Sequence, residues 1–301
     1  MPLLDFHTHV ATRHQWNPWV MSYFAEVNPE YTENMSEKTS PQAVIEYLKS
    51  QSVDAAVVLS EYAPKTTGVV TNEFTAALCW GTDTLIPFGS ISFNNCAQPA
   101  VQAEQCVTTL GCRGLKLLPS YVHIYPADPR LYPVYDVACA FDVPVMFHTG
   151  TSIFKGSRVR FGHPLLLDDV ADDFPRLKII MCHGGRPFWY AEAEWMLRRH
   201  KNVYVDISGI PPIQLPQVFP YLEKFRDRFI FGSDWPGIRS ISEQVRKIQE
   251  LPLNHDTMEA ILWENGVNLL TTSMKCNPLS APTTLNNPLT VCRAIGTQET
   301  M

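Results

Sequence analysis

The sequence lacks the features that membrane proteins and nucleic-acid-binding proteins need. No segment approaches the roughly 20 uninterrupted apolar residues that span a bilayer, and the start, MPLLDFHTHV, reaches Asp5 without the basic residues of a signal peptide. The 301 residues include 24 Lys and Arg against 30 Asp and Glu, a formal net charge of −6, with no long basic run. We therefore expect neither a membrane nor a nucleic acid as a partner.

Several catalytic and structural motifs are also missing. None of the eight cysteines forms a C-x-x-C pair, and several lie in apolar runs, so we expect free thiols and a reducing, cytoplasmic setting. The absence of G-x-x-x-x-G-K-[ST], G-x-G-x-x-G and G-x-S-x-G argues against phosphate-binding loops and hydrolases with a nucleophile elbow. Cys182 and His183 are adjacent and would face opposite sides of a strand, so a Cys/His nucleophile pair is not favoured.

Eight short apolar segments, rich in β-branched residues, recur along the chain with helical patterns between them. Each is a nearly continuous apolar run, as is typical of strands buried on both faces of a parallel sheet. They cover residues 3–8, 53–59, 85–91, 113–118, 143–149, 177–183, 202–207 and 228–234. Eight βα units in roughly 270 residues predict an α/β fold of the (β/α)₈ TIM-barrel type.

Two segments depart from this alternation. Residues 271–301 contain only three charged residues and show no periodicity, so we expect a barrel domain over 1–270 followed by a poorly ordered tail. Residues 10–40 form a long connection with Trp16, Trp19, Tyr23 and Phe24. This connection is expected to be either a lid that shapes the substrate site or a loop packed on the rim for stability.

Candidate metal ligands lie at the ends of the predicted strands. His7 and His9 are two residues apart near the end of the first strand, which places both imidazoles on one side. His148, His183 and Asp234 close three other strands. Because the carboxyl ends of all barrel strands face one mouth, these five side chains are expected to converge there.

The motifs DFHTH, GLKLLP, FHTGT, CHGG and FGSDWP carry a family resemblance, in this order, over about residues 3–270. As an ordered set they resemble the amidohydrolase superfamily, in particular the amidohydrolase-2 branch that includes aminocarboxymuconate semialdehyde decarboxylase. The final ENGVNLL also resembles the Asn-containing helix with which this family usually ends.

The resemblance implies a mononuclear metal enzyme. His7, His9, His148 and Asp234 would bind one divalent ion, zinc in the first place with manganese as the alternative, and this donor set suits zinc chemically. His183 would be a catalytic acid/base and electrostatic group beside the ion rather than a ligand. Asp234 would also accept the proton of an activated water.

Lys116 and Arg186 are candidate substrate-binding residues. Lys116 ends the fourth strand and is open to three interpretations: a carboxylated lysine bridging two metals, an unmodified lysine at the substrate site, or a structural lysine. Arg186 would hold a substrate carboxylate, or would instead pair with Glu192 or Asp206. Aromatic residues beyond the strand ends would wall the pocket or only pack on its rim; they are Tyr121, His123, Trp189, Tyr190 and Trp235.

Three functions remain open at this point. The first is a metal-dependent hydrolase of a small carboxylate-bearing substrate, acting through activated water. The second is non-oxidative decarboxylation of a small aromatic or unsaturated carboxylic acid, which would use the same ligands. The third is a metal-binding barrel without catalysis. The partner is in each case a small molecule, and a homodimer is expected by analogy alone.

Overall fold

Eight parallel strands form the central sheet of the computed structural model, which describes residues 1–33, 35, 39–93 and 98–274. A two-stranded antiparallel hairpin, β3 and β4, projects from it. The strands are β1 (Leu4–Thr8), β2 (Ala55–Leu59), β3 (Glu61–Ala63), β4 (Gly68–Val70), β5 (Leu85–Ser90), β6 (Leu115–Leu117), β7 (Val145–His148), β8 (Ile179–Cys182), β9 (Val203–Asp206) and β10 (Phe229–Ile230). Every one of the eight predicted segments contains a strand of the central sheet, which confirms the TIM-barrel prediction.

The sheet closes on itself between its first and last strands. The pairing order is β1-β2-β5-β6-β7-β8-β9-β10. The backbone N–H of Phe6 donates to the carbonyl of Phe231 at 2.9 Å, and that of His9 donates to the carbonyl of Trp235 at 2.7 Å. In return, the N–H of Asp234 donates to the carbonyl of His7 at 2.9 Å. Closure therefore brings His7 and His9 beside Asp234, although they are far apart in sequence.

Helices lie between the strands and after the last strand. They are α1 (Pro18–Val27), α2 (Pro29–Glu33), α3 (Pro41–Ser50), α4 (Asn72–Cys79), α5 (Pro99–Thr108), α6 (Pro119–Val122), α7 (Tyr132–Ala140), α8 (Asp168–Asp173), α9 (Tyr190–Arg199), α10 (Leu215–Val218), α11 (Ile241–Gln249), α12 (His255–Glu259) and α13 (Asn265–Met274). A π-helical turn, Ala260–Glu264, joins α12 to α13. Short 3₁₀ segments are Arg13–Gln15, Val159–Phe161, Pro164–Leu167, His183–Gly185, Pro212–Gln214 and Leu222–Arg228.

The pairs Ser40-Pro41 and Asp128-Pro129 each predict a helix start, with the first residue as the cap and proline at the first helical position. The structure confirms only the first of these predictions. The Ser40 hydroxyl accepts the N–H of Ala43, and Pro41 occupies the first position of α3. The expectation that Asp128-Pro129 repeats this device is wrong, since α7 begins at Tyr132. The Asp128 carboxylate instead accepts two bonds from the Arg130 guanidinium, in a turn that precedes the helix.

The buried strand side chains form two clusters that alternate along each strand. In β7, Met146 belongs to the cluster inside the barrel, whereas Val145 and Phe147 belong to the cluster packed against the helices. Because successive side chains point to opposite faces, His148 points to the same side as Met146. The inner row of the barrel thus changes from apolar to polar at the carboxyl ends of the strands.

The described part of the chain ends within the last helix. The predicted tail was expected from residue 271, but α13 continues to Met274. Residues 275–301, on which the rest of that prediction falls, lie outside the described residues. No helix in the described ranges is both long and apolar enough to cross a bilayer.

Asn265 attaches the last helix to the last strand, and we expect its removal to destabilise the barrel. Its Nδ2 donates to the carbonyls of Arg226 and Phe229 at 2.6 and 2.8 Å. Asn265→Ala leaves both carbonyls without this donor and should lower the free energy of unfolding by about 1–3 kcal/mol. Urea denaturation would measure this loss, with Gln214→Ala, an exposed amide, as the control. Equal unfolding midpoints for the two variants would contradict the prediction.

Candidate active site

A cavity of about 270 Å³ opens at the carboxyl ends of the barrel strands. Polar groups from several strand ends line its floor, and residues 10–40 and the segment after β7 contribute aromatic side chains to its walls. The lining includes His7, His9, Glu61, Lys116, Tyr121, His148, Phe154, His183, Arg186 and Asp234.

His7, His9 and Asp234 form a compact donor group in this cavity. The Nε2 atoms of His7 and His9 are 3.2 Å apart. Oδ1 of Asp234 lies 3.5 Å from Nε2 of His7 and 3.4 Å from Nε2 of His9. The three ligand atoms fall within 4.8 Å of one another, a spacing at which one divalent ion can be held.

His148 faces the same cavity with an unused nitrogen. Its Nε2 is buried and has no hydrogen-bond partner in the described structure, although burying such an atom unpaired is unfavourable. Its ring lies 4.8 Å from that of His183 and 4.6 Å from that of Tyr121. A cation beside the donor group would satisfy this orphaned nitrogen, so the residues present fit a metal ion.

Asp206 orients His7. Nδ1 of His7 lies 2.5 Å from Oδ2 of Asp206, and both side chains are buried. A carboxylate accepts but does not donate, so the proton of the neutral imidazole is placed on Nδ1. The lone pair on Nε2 is then directed into the cavity, which is the arrangement usual behind a metal-binding histidine.

Glu61 occupies the corresponding position behind His9. Its Oε2 lies 3.5 Å from Nδ1 of His9, and its Oε1 accepts a hydrogen bond from Thr67. Burial raises the pKa of Glu61 to about 7, and the His9 and Lys116 charges act against this rise. Glu61 begins β3, so the β3–β4 hairpin delivers this carboxyl group to the site.

The protonation states of the site suit metal binding. Burial, helped by the Lys116 charge, lowers the pKa of His7 to about 4. Burial also holds the pKa values of His148 and His183 well below the usual range. For Asp234, burial acts to raise the pKa, but the hydrogen bond to His9 and the positive charges around the carboxylate, that of Arg186 included, together hold the pKa well below its usual range. Neutral imidazoles and an ionised carboxylate are the ligand forms that bind cations.

His183 and Asp234 both have left-handed backbone conformations. Their φ angles are 64° and 62°, values that non-glycine residues rarely adopt. Each such residue costs on the order of 1–3 kcal/mol and typically marks a functional position. The turn at His183 also departs from the alternation of β8, so its imidazole joins the cavity although Cys182 points to the inside of the barrel.

Lys116 lies in the floor of the cavity with 1% of its surface exposed. Its Nζ lies 3.2 Å from Nε2 of His7 and 3.0 Å from Sγ of Cys182. The side chain therefore reaches the donor group and lines the cavity. This position is compatible with both the substrate-site and the metal-bridging interpretations.

Arg186 also reaches the donor group. Its Nη2 lies 3.6 Å from Oδ2 of Asp234, so the ion pair that the structure shows is with Asp234 rather than with Glu192 or Asp206. Gly209 permits this placement, since a side chain there would overlap the guanidinium. The Arg186 side chain is 27% exposed and lines the cavity, where it can meet a ligand.

The aromatic predictions are met in part. Trp16, Tyr23 and Phe24 of the long connection line the cavity while also packing on one another. Tyr121 lines the cavity as predicted. Trp235 is instead 2% exposed and stacks on Tyr47 with ring centres 4.7 Å apart. The remaining three, His123, Trp189 and Tyr190, are absent from the lining that the described residues form.

Sequence reasoning missed Asp206, Ser208 and Glu61 as site residues. The signal for Asp206 was present, because it ends the apolar segment NVYVDI just as His148 ends VPVMFH. Glu61 follows the second strand by two residues and carried a weaker form of the same signal. Ser208 gave none, since a serine in a loop is too common to indicate a site.

The chain is similar to a known protein family and to several solved structures. A family model described as amidohydrolase matches residues 4–270. An uncharacterized TIM-barrel protein from Bordetella bronchiseptica is 24% identical, with 91% of this chain and 99% of that chain covered and a TM-score of 0.75. The 2,6-dihydroxybenzoate decarboxylase from Rhizobium is 16% identical, with 90% and 98% covered and a TM-score of 0.66.

A third solved structure of similar fold contains a metal. It is a dihydroxybenzoic acid decarboxylase from Polaromonas sp. JS666 with bound manganese and the inhibitor 2-nitroresorcinol. It is 18% identical, with 89% of this chain and 96% of that chain covered and a TM-score of 0.68. At these identities the three structures show a shared fold.

Gly232 allows His7 and Asp206 to meet, and we expect Gly232→Ala to weaken metal binding. A methyl group there would overlap the Asp206 carboxylate and lie 2.6 Å from Cβ of His7. Displacing a carboxylate behind a metal-binding histidine typically weakens metal affinity about 10- to 100-fold. Zinc titration against a chromophoric chelator measures this affinity. Gly111→Ala, between α5 and β6, is the control: it introduces backbone strain at a left-handed position (φ 69°) with open space around its Cβ, and it should bind zinc like the unmodified protein. Equal affinity in both variants would refute this role of Gly232.

Proposed function

Because the chain belongs to the amidohydrolase family, we propose that it is a metal-dependent hydrolase of a small, carboxylate-bearing substrate. The observation that carries the proposal is the convergence of His7, His9 and Asp234 within 4.8 Å, beside the Arg186 guanidinium. A ligand group and an anion-binding group thus share one cavity. Membership of this family, together with the site, argues against a barrel that only binds metal.

The ligands proposed for the metal are His7, His9, His148 and Asp234. Two carboxyl groups, Asp206 behind His7 and Glu61 behind His9, support this assignment, as does the unpaired Nε2 of His148. When bound, a divalent ion supplies Lewis-acid activation of water and of a substrate carbonyl. Zinc is our first choice from the imidazole-rich set, and manganese is the alternative, supported by the manganese bound in the Polaromonas decarboxylase.

Asp234 and His183 are the proposed proton-transfer residues. Asp234 is ionised and lies at the centre of the donor group, where its carboxylate can accept the proton that an attacking water loses. His183 is 2% exposed and turns into the same cavity, with its Nδ1 already engaged by Ser208. Its Nε2 is therefore the atom left to exchange a proton with substrate.

Arg186 and Lys116 are the proposed substrate-binding residues. The Arg186 guanidinium presents a planar pair of donors that matches a carboxylate. Lys116 adds a second positive charge from the floor of the cavity. Trp16, Phe24 and Tyr121 provide apolar walls, which exclude water and strengthen these interactions.

Non-oxidative decarboxylation is the second candidate, and a specific observation favours it. Two of the solved structures that share the fold are decarboxylases of dihydroxybenzoates. Arg186 and the ligand group would orient the carboxylate that leaves, and the two reactions would share every metal ligand. The flat apolar walls of the cavity would suit an aromatic ring.

Two further proposals concern the setting of the protein. We propose a reducing, cytoplasmic location, supported by the free thiols of Cys79, Cys106, Cys112, Cys139 and Cys182. A homodimer stays a prediction from analogy with relatives.

Loss of the histidine ligands should abolish both metal binding and activity. We expect the purified protein to contain about one divalent ion per chain and the His7→Ala/His9→Ala variant to contain far less, because two of the proposed ligands are gone. Elemental analysis measures the content. His14→Ala removes an exposed histidine near the same strand and should leave the content unchanged.

The reaction is identified by incubating the zinc-loaded and manganese-loaded protein with lactones, amides and aromatic carboxylic acids. Acid release without CO₂ is expected for the hydrolase. CO₂ release without formation of a new acid would contradict the hydrolase proposal and support the decarboxylase. Full metal content with no change in activity in the double histidine variant would refute both.

Arg186→Ala should weaken the use of carboxylate-bearing substrates. Loss of a hydrogen-bonded charge pair should lower kcat/KM about 10- to 100-fold, mostly through KM. The neutral methyl ester of the same substrate should lose much less. Arg130→Ala is the control, since this arginine is exposed and pairs with Asp128. Equal losses for acid and ester would show that Arg186 does not hold the carboxylate.

A further inference from the structure

Ser208 lies between the two histidines that the proposed mechanism uses differently. It lies in the turn after β9, two residues beyond Asp206, and is fully buried. Its Oγ lies 2.8 Å from Oδ2 of Asp206, 2.8 Å from Nδ1 of His183 and 3.1 Å from Nδ1 of His7. Its backbone carbonyl lies 3.1 Å from Nδ1 of His183.

Counting protons gives one arrangement that satisfies every contact. The Asp206 carboxylate and the Ser208 carbonyl can only accept. The hydroxyl has a single proton, which it donates to Asp206, and Nδ1–H of His7 also donates to Asp206. Nδ1 of His183 must then carry the proton, which it donates to the Ser208 hydroxyl oxygen and carbonyl.

The opposite tautomer of His183 leaves two unfavourable contacts. If the hydroxyl donated to Nδ1 of His183, no proton would lie between the Ser208 and Asp206 oxygens at 2.8 Å. The lone pair of Nδ1 would also face the Ser208 carbonyl oxygen at 3.1 Å. Buried unpaired acceptors of this kind are costly.

Lys116 supports the same arrangement from the other side of His7. Its ammonium group has donors and no acceptor, and its Nζ lies 3.2 Å from Nε2 of His7. That nitrogen must accept and is therefore unprotonated. The Nδ1–H tautomer of His7 thus follows from Lys116 as well as from Asp206.

We propose that Ser208 is a positioning residue that links His183 to Asp206 and holds His183 with its proton on Nδ1. Resting on the proposed function, this gives His183 a defined role, because its unprotonated Nε2 then faces the cavity as a proton acceptor. In this neutral form it cannot donate a hydrogen bond to a developing oxyanion. The single turn from Asp206 to Gly209 thereby orients His7 and His183. It also positions Arg186, because Gly209 has no side chain that would overlap the guanidinium.

The tautomers can be observed directly in protein with ¹⁵N-labelled histidine. Two-bond ¹H–¹⁵N NMR spectra distinguish protonated from unprotonated ring nitrogens, and the variants His7→Gln and His183→Gln identify the signals. In the metal-free protein we expect both residues to have protonated Nδ1 and unprotonated Nε2. A protonated Nε2 on neutral His183 would overturn the proposal, and this measurement needs neither a Ser208 variant nor a substrate.

Ser208→Ala and Ser208→Thr then test the role of the hydroxyl. The alanine variant keeps the carbonyl but loses the link to Asp206, so a second His183 tautomer should become visible. With a substrate from the panel, kcat should fall about 2- to 12-fold at nearly constant KM and zinc content. The threonine variant restores the hydroxyl and should restore the single tautomer and most of kcat. Unchanged tautomers and kcat in the alanine variant would refute the link.

The two proposals fail separately. If the substrate panel gives no turnover, the proposed function fails, while the NMR result still decides whether Ser208 orders the histidines.

Discussion

The hydrogen bond between His7 and Asp206 is the interaction on which the rest of the site depends. It joins residues 199 positions apart in sequence, on β1 and β9, and so exists only because the barrel closes through β10. Both side chains are almost fully buried, where unpaired polar groups are destabilising. Their pairing makes the burial tolerable and directs Nε2 of His7 toward His9 and Asp234.

The same pattern recurs around the cavity, where a buried side-chain oxygen lies next to Nδ1 of each of three histidines. Asp206 stands behind His7, Glu61 behind His9, and Ser208 behind His183. The hydrogen bonds to Nδ1 of His7 and His183 fix which lone pair each of these two residues offers to the cavity. Nδ1 of His9 has no hydrogen-bond partner among the described residues and lies 3.5 Å from Oε2 of Glu61. A site built this way is organised before any ligand arrives, because the inner strand positions and the closed sheet hold the supporting groups.

The site also contains strain and charge that stability alone would not favour. His183 and Asp234 have left-handed backbone angles, and the cationic Arg186 and Lys116 lie close to the histidine donor group. Such departures are tolerated where closed strands and buried hydrogen bonds over-determine the local structure. His183, Asp234, Arg186 and Lys116 all line the cavity, which agrees with a catalytic rather than a structural use of these residues.

Much of the fold and part of the site followed from sequence alone. Eight apolar runs with helices between them predicted the barrel, and the polar residues ending several of these runs predicted that His7, His9, His148, His183 and Asp234 meet at one mouth. These are local signals, because both the alternation along a strand and the residue at which a strand ends can be recognised from a few residues.

The tertiary structure alone decided the pairings across the barrel. Ser208 gave no sequence signal, Arg186 proved to face Asp234, and Trp235 turned away from the cavity to stack on Tyr47. Contacts of this kind depend on closure, register and the direction of individual side chains, which residue type and spacing do not determine.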